Sequence, residues 1–568
     1  MTCWQLGNTT VRSALRLRDG LRAYSESDIQ GDIRGGAGDK AFRQLLGEVG
    51  LVSLGEDSTQ SVGRKWRSAL GKMGFIFPEV KRQDGFSQDE LGPCDYLTPA
   101  GRSLLQATTM PAIYESFLRA MAVPLHVAND QRYFSPLRWT FAILLTLAEQ
   151  GEENAYLSFS EFAAYVQTTD PTWGRSEVAA LVMESRNRRR EAPSARNYKR
   201  ELLAEAERTS GYKKGTLRDY ADENIRYLKA TGVLQSCGRG IRIVPEKRYI
   251  ARTLSEADTY DISLLEMLRQ QCAGAELPTD SMSVAEEALL KLVESAREFG
   301  IHYQLGDVDF GSVSSINNAR YAVEELIDHE RELRYAARQA GELPITLEYL
   351  SLLSEGKGSK KLGDGTVITI PSDERPAYFE WAVWRALLAI DSLSNPPYEV
   401  RRFKIDSDFM PVSTASGGGA DLVAEFDDCI VAAEVTLSTS SRQEAMEGEP
   451  VRRHVADLAL ATQKPVYGLF IAVDVNLNTV ETFRHGLWYA ADEQLLSLSI
   501  VPLSLCQFAT VLSFLFSGDG ELPARRLRRV LDFCLALKKG ASAPIWRDLL
   551  DASINSGDLM KALGGSAT

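Results

Sequence analysis

Cysteine is sparse and scattered. The seven residues, Cys3, Cys94, Cys237, Cys272, Cys429, Cys506 and Cys534, are odd in number, with no C-x-x-C pair and no adjacent histidine. That excludes a disulfide scaffold and a zinc finger as the organising principle. The opening MTCWQLGNTTVRSALRLRDG lacks the apolar core of a secretory signal, so the expected location is the cytoplasm. Long uncharged runs are missing too, apart from residues 495–517. Pro502, Gln507, Thr510 and several serines interrupt that run, and SIVPLSL followed by CQFATVLSFLF predicts a buried strand, a turn and a helix instead of a membrane span. No repeat of fixed period and no low-complexity tract is present.

What is there is ordinary globular composition, 44% hydrophobic and 25% charged, over 568 residues, enough for about three to four domains. The net charge of −13 argues at first against a nucleic-acid partner. The average conceals an asymmetry. Residues 1–250 carry 35 Lys and Arg against 30 Asp and Glu, whereas residues 251–568 carry 29 against 47. Such a division points to one half that binds a polyanion and one with another task.

In the first half, AFRQLLGEVGLVS (41–53) and VGRKWRSALGKMGFIF (62–77) space their apolar residues for two short amphipathic helices. YLTPAGRSLLQA (96–107) follows, with Thr98 placed to cap a helix and Pro99 at its first position, where a missing N–H costs nothing. The order helix, basic helix, extended stretch, capped helix resembles a winged helix-turn-helix, although a three-helix domain that binds no DNA gives the same pattern. A second such unit is predicted from SPLRWTFAILLTLAEQ (135–150), FSEFAAYVQ (159–167) and residues 215–250, where a helix stops at Gly232 and a hairpin turns at Gly238, Arg239 and Gly240. Between them, residues 175–218 carry twelve Lys and Arg against six Asp and Glu, including Arg186 and Arg196, with Tyr198 and Tyr212 among them. The candidate DNA-backbone contacts are Arg188, Arg189, Arg190, Lys199, Arg200, Lys213 and Lys214, with Arg239 in the wing. A solvated helical face is the bland reading of a charge run; its place just before a wing favours phosphate contact. Long helical patterns at 283–300 and 315–341, the second ending at a glycine, predict a helical connector over 276–345.

Residues 417–436 read GGGADLVAEFDDCIVAAEVT. Two apolar segments around Asp427-Asp428 predict a hairpin in a half-buried sheet. Asp421 opens the first strand and Glu434 lies near the end of the second, so the two carboxylates can meet on one divalent cation, with the Val435 carbonyl as a further oxygen ligand. Hard oxygen donors suit Mg2+. An isolated pair of this spacing is common at strand ends, and its neighbours add weight. Upstream, PAYFEWAVWRALLAI (376–390) predicts a helix with Glu380 in its first turn among Phe379, Trp381 and Trp384. A carboxylate there needs a partner or a metal, unless it serves the helix dipole. Downstream, residues 440–463 place Glu447, Glu449, Arg452 and His454 after the hairpin, and KPVYGLFIAVDV supplies another buried strand. The result is a mixed αβ core with its acids at one edge. Arg452 or His454 is a candidate phosphate contact, although a lone histidine after a helix is more often structural.

Asp421 followed by Glu434-Val435-Thr436 resembles the PD-(D/E)XK nuclease motif, with threonine where that motif usually has lysine. The EVT variant, the GGGAD lead-in, EGEPVRRHV and the N-terminal WQLGNTTVR resemble the AlwI family of type IIS restriction endonucleases and their nicking relatives. The resemblance implies a multidomain α+β chain. N-terminal winged-helix (helix-turn-helix) subdomains (about 1–130 and 131–275) would recognise DNA, 276–345 would be a helical linker, and 346–568 a C-terminal α/β PD-(D/E)XK nuclease core. Its catalytic acids would be Glu380, Asp421, Glu434 and Glu447, with Glu449 a competitor for the fourth place and Mg2+ at Asp421, Glu434 and Val435. Implied partners are double-stranded DNA, a transient homodimer or small nuclease subunit through the C-terminal domain, and a cognate DNA methyltransferase. The alternatives are a winged-helix DNA-binding regulator without catalysis, against which the clustered acids speak, and a repair or transposon-end nuclease with the same core.

Overall fold

Apolar residues recurring every three or four positions make the first half helical. The computed structural model describes all residues except 1–2, 9, 53–60, 152–154, 238–239, 257, 364, 416, 491–492, 518–521 and 557–568. The chain divides into two compact units, residues 1–328 and 329–568. In the first unit, α1 (Gly35–Glu48) starts well before the predicted 41, although glycine disfavours helices. The chain just before the helix folds back on its first turn, where a Cβ at Gly38 would lie 2.6 Å from the Ile33 carbonyl carbon, a closeness only glycine permits. α2 (Val62–Lys72) and α3 (Pro99–Gln106) follow, and the Thr98 hydroxyl accepts from the Gly101 amide at 2.9 Å, the expected cap.

Next come α4 (Pro136–Glu149), strand β1 (Tyr156–Leu157), α5 (Arg175–Glu191), α6 (Ala195–Ser210) and α7 (Thr216–Lys229). The hairpin β2 (Leu234–Cys237) and β3 (Gly240–Ile243) joins β1 in a three-stranded antiparallel sheet with β3 in the middle. The turn of that hairpin lies outside the described residues. α8 (Met282–Glu298) and the first part of α9 (Val313–Ala336) share an apolar seam of Leu289, Val293, Ile316, Val323 and Ile327. Buried Arg320 on α9 pairs with Glu115 and, at 3.1 Å, with Glu324. α9 stops at Ala336, short of the predicted Gly341. The chain turns there because Gln339 and Glu342 take the buried Arg385 guanidinium, at 2.7 and 2.6 Å.

In the second unit, α10 (Arg375–Leu388) packs on a four-stranded mixed sheet. Its strands are β4 (Leu422–Glu425), β5 (Ile430–Thr436), β6 (Val466–Ala472) and β7 (Ser499–Ser504), ordered β7-β6-β5-β4. β4 and β5 are antiparallel, and β5, β6 and β7 run parallel. Parallel strands require a crossover, and α11 (Gln443–Ala461) supplies it between β5 and β6. The central strands are continuous apolar runs because both faces are covered, whereas β4 alternates as the edge. Pro502 sits on the other edge strand, where a missing N–H is tolerated. β7 runs straight into α12 (Leu505–Leu515) through a Ser504 capping box, without the predicted turn. Among the described residues no helix is long and apolar enough to cross a membrane.

The β4 edge is covered by residues 393–402. Asn395 brackets Val423 and Glu425, and Arg401 bridges Leu422. Arg401 is anchored by a bidentate pair to buried Glu332, both contacts 2.8 Å, and by the Trp384 ring 5.8 Å away. Glu332→Ala would leave a largely buried guanidinium unpaired, a loss of about 3 kcal/mol. We expect the unfolding transition of this unit to fall by about 6–12 °C in calorimetry. Glu332→Gln should recover part of that drop; an unchanged transition in Glu332→Ala would refute the anchoring role.

Candidate active site

The short turn sets the register of the hairpin, and the register sets the site. Leu422 pairs with Ala433, so Asp421 stands opposite Glu434 at the open end. The Val435 amide donates to Asp421 Oδ2 at 3.0 Å, which fixes that carboxyl against β5. Val435 thus faces the acid with its N–H.

α10 brings Glu380 to the same place. The helix begins at Arg375, so Glu380 lies in its second turn and not in the first. It is therefore beyond the free amides of the helix start. Its Oε2 accepts instead from the Ala415 amide at 2.6 Å, and the side chain is buried. Glu447, half-buried on α11, shares a hydrogen bond with the Thr436 side chain. Glu449 points elsewhere, exposed and paired with Arg453 at 3.1 Å. Arg452 Nε donates to Gly448 O, one turn earlier on the same helix, at 3.0 Å. His454, buried, places Nδ1 2.5 Å from Glu434 Oε1, while its Nε2 has no hydrogen-bond partner.

Burial raises all four carboxyls, and mutual repulsion adds to the shift at Glu380, Asp421 and Glu434. Glu434 is pushed up to about 8 by burial and then by Glu447. Asp421 is raised well above its ordinary value by burial and Glu434, and Glu380 by burial and Asp421. Burial also raises Glu447 and lowers His454, which is thus neutral near pH 7. The Glu434–His454 bond survives either state of the acid, because imidazole Nδ1 either accepts from the carboxyl or donates to the carboxylate.

Buried acids repelling one another form a donor set of hard oxygens that lacks positive charge. Among the described residues, no three His, Cys, Asp or Glu side chains converge as a ready-made metal cage. The opposed pair Asp421 and Glu434 fits Mg2+ nevertheless, since that ion is normally held by one or two carboxylates and keeps waters for the remainder.

The family model described as AlwI restriction endonuclease matches residues 71–511, well over half of the chain. The chain belongs to the AlwI restriction endonuclease family. A member of this family is a DNA endonuclease, a phosphodiester hydrolase. Solved structures similar to this AlwI-family chain include the small subunit of the heterodimeric restriction endonuclease R.BspD6I, at 22% identity over 36% of this chain and 98% of that one, TM-score 0.28. The BpuJ1 endonuclease binding domain, in complex with modified DNA, matches at 13% identity over 48% and 96%, TM-score 0.31. Restriction endonuclease FokI matches at 10% identity over 90% and 96%, TM-score 0.23. No curated protein matches the chain.

The basic candidates lie in the first unit, on consecutive elements. Arg188, Arg189 and Arg190 occupy the last turn of α5, Lys199 and Arg200 lie on α6, and Lys213 and Lys214 are exposed just after it. α5 and α6 are joined by Ser185 and Tyr198, 3.0 Å apart. Arg188 is paired with Glu184 at 2.5 Å, and Arg190 bonds Asn187. Arg186 of the same run is structural: it pairs with buried Glu161 at 3.1 Å and stacks on Tyr156. Tyr212 also serves the fold, accepting from the Cys3 amide at 3.2 Å. Arg239 lies outside the described residues.

Proposed function

We propose that the chain is a sequence-specific endonuclease of the type IIS or nicking kind, cutting a few base pairs outside a short asymmetric site. The observation that carries this reading is the opposition of Asp421 and Glu434 across the β4–β5 hairpin, with Glu380 and Glu447 in their field. Asp421 and Glu434 would hold Mg2+, with the Val435 carbonyl as a further candidate oxygen ligand and Glu380 available to a second ion. When bound, the metal supplies the positive charge that favours attack on phosphate and departure of the 3′-oxygen. Glu447, whose carboxyl burial makes more basic than an exposed one, orients the attacking water and accepts its proton. His454 holds Glu434 in place.

Recognition is assigned to residues 1–275 as two winged-helix subdomains, about 1–130 and 131–275; 276–345 connect them to the nuclease core at 346–568. The three-stranded sheet of β1, β2 and β3 beside α7 supports the second subdomain. The first is supported by helix order and the Ile76–Leu97 bridge alone. Arg188, Arg189, Arg190, Lys199, Arg200, Lys213, Lys214 and Arg239 are its proposed phosphate contacts. One acid set hydrolyses one strand per engagement, so double-strand cutting needs a second copy or a small nuclease subunit. A cognate methyltransferase would protect the host site.

Digestion of a supercoiled plasmid in Mg2+, followed by sequencing of the cut ends, tests this directly. We expect open circles first, with breaks at a constant distance to one side of a short motif. Cleavage inside a symmetric site, or linear product with no nicked intermediate at the lowest enzyme concentration, would overturn the proposal.

A further inference from the structure

Thr436 occupies the position where the nuclease motif usually carries lysine, so β5 brings no cation to its own acids. The covered edge of the sheet brings one. Arg401 pairs with Leu422, and the Arg402 amide donates to the Asp421 carbonyl at 3.2 Å. Continuing both registers sets Arg402 opposite Asp421, and Asp421 opposite Glu434. Residues directly opposed on adjacent strands project to one face, with Cβ atoms about 4.5–5.5 Å apart per step. Arg402, Asp421 and Glu434 therefore form a single cross-strand row, while Arg401 projects to the other face and is consumed by Glu332.

The guanidinium of Arg402 has a built seat. Its Nη2 donates to Gly417 O at 3.1 Å, and a Cβ at Gly419 would lie 1.8 Å from Nη1. A methyl group there would push the guanidinium aside. The same turn is tied at its other end to Glu380 through the Ala415 amide. A guanidinium offers five N–H donors, and among the described residues Arg402 bonds Gly417 and pairs with no acid. Of the arginines on α11, Arg453 pairs with Glu449, and Arg452 bonds Gly448 of its own helix and lies outside this cross-strand row. The charge of Arg402 is also felt at Glu434, whose carboxyl it favours in the ionised form.

We infer that Arg402 is a catalytic residue of this enzyme, binding the non-bridging oxygens of the scissile phosphate and taking the place left by the missing lysine, with Gly419 as the positioning residue that keeps its seat open. The inference rests on the reading of Asp421 and Glu434 as the hydrolytic site. In the reaction a water oxygen bonds to phosphorus and passes its proton to Glu447, the bond from phosphorus to O3′ breaks, and O3′ leaves with a proton taken from solvent water. Negative charge grows on the non-bridging oxygens, and a planar fork of N–H donors matches that geometry.

The test uses the full chain and single-turnover incision of plasmid in Mg2+, with DNA affinity measured in Ca2+. Arg402→Ala is expected to cut about 100- to 1000-fold more slowly at unchanged affinity. Arg402→Gln, polar but uncharged, should fold normally and show the same loss; Arg402→Lys should recover part of the rate. Gly419→Ala should slow incision by displacing the guanidinium. Millimolar guanidinium should restore part of the rate of Arg402→Ala and none of Asp421→Ala. Incision by Arg402→Ala and Arg402→Gln at the parental rate, with Asp421→Ala inactive, would remove Arg402 and leave the acids standing. A loss with no response to guanidinium and an equal loss in Arg402→Lys would make Arg402 merely structural and overturn the inference. Normal incision by Asp421→Ala would instead remove the underlying site.

Discussion

Replacing Asp421 or Glu434 by alanine is expected to lower incision in Mg2+ by about 100-fold or more while leaving site-specific DNA binding in Ca2+ near the parental level. Each change removes a charged oxygen ligand from the place where charge must be balanced during hydrolysis. DNA recognition is assigned to residues of the other compact unit, so binding and chemistry should separate. Neither change should unfold the chain, because burial and like charge already oppose ionisation of both carboxyls. Asp421→Ala does leave the Val435 amide without its acceptor, at a cost of about 1–3 kcal/mol. Asp421→Asn keeps that acceptor and should be the more stable of the two, and equally inactive. Asp427→Ala, exposed in the hairpin turn, should stay active. Normal cutting by both Asp421→Ala and Glu434→Ala would mean that the hydrolytic site lies elsewhere.

The response to metal should depend steeply on pH. Glu434 titrates near 8 in the folded, metal-free chain against an ordinary 4.5. Between those values the folded state binds the extra proton, so the stability of metal-free protein falls as pH rises through that window. Binding a cation requires the carboxylate, and the proton must leave. Apparent Mg2+ affinity should therefore rise about tenfold per pH unit below 8 for one proton released, and level off above it. Titrations of incision against Mg2+ at pH 6.5, 7.5 and 8.5 should show the half-saturating concentration dropping in that order. The rise in unfolding temperature produced by Mg2+ should likewise be larger at pH 8.5 than at 6.5. A half-saturating concentration that does not move with pH would show that these acids do not hold the metal.

The amino-acid sequence by itself determined what local geometry decides. A two-residue acidic turn between apolar segments admits one antiparallel register, so the meeting of Asp421 with Glu434 follows from spacing. Thr98 followed by Pro99 specifies a helix start for the same reason. The tertiary structure alone decided the rest. Glu380 reaches the site only because α10 packs on β4 and β5, and nothing near residue 380 encodes that docking. Glu447 and Glu449 look equivalent along the chain, yet helix phase after the crossover aims one at Thr436 and the other at Arg453. Arg186 reads as one more cation in a basic run until buried Glu161, 25 positions earlier, takes it. Arg402 carries no motif and sits beside an identical arginine. Which of the two faces the acids is settled by the pleat of an edge pairing, and side chains alternate faces with every residue. Contacts made across a sheet or between a helix and a sheet depend on which surfaces the whole core can bury together, and no short window of sequence contains that information.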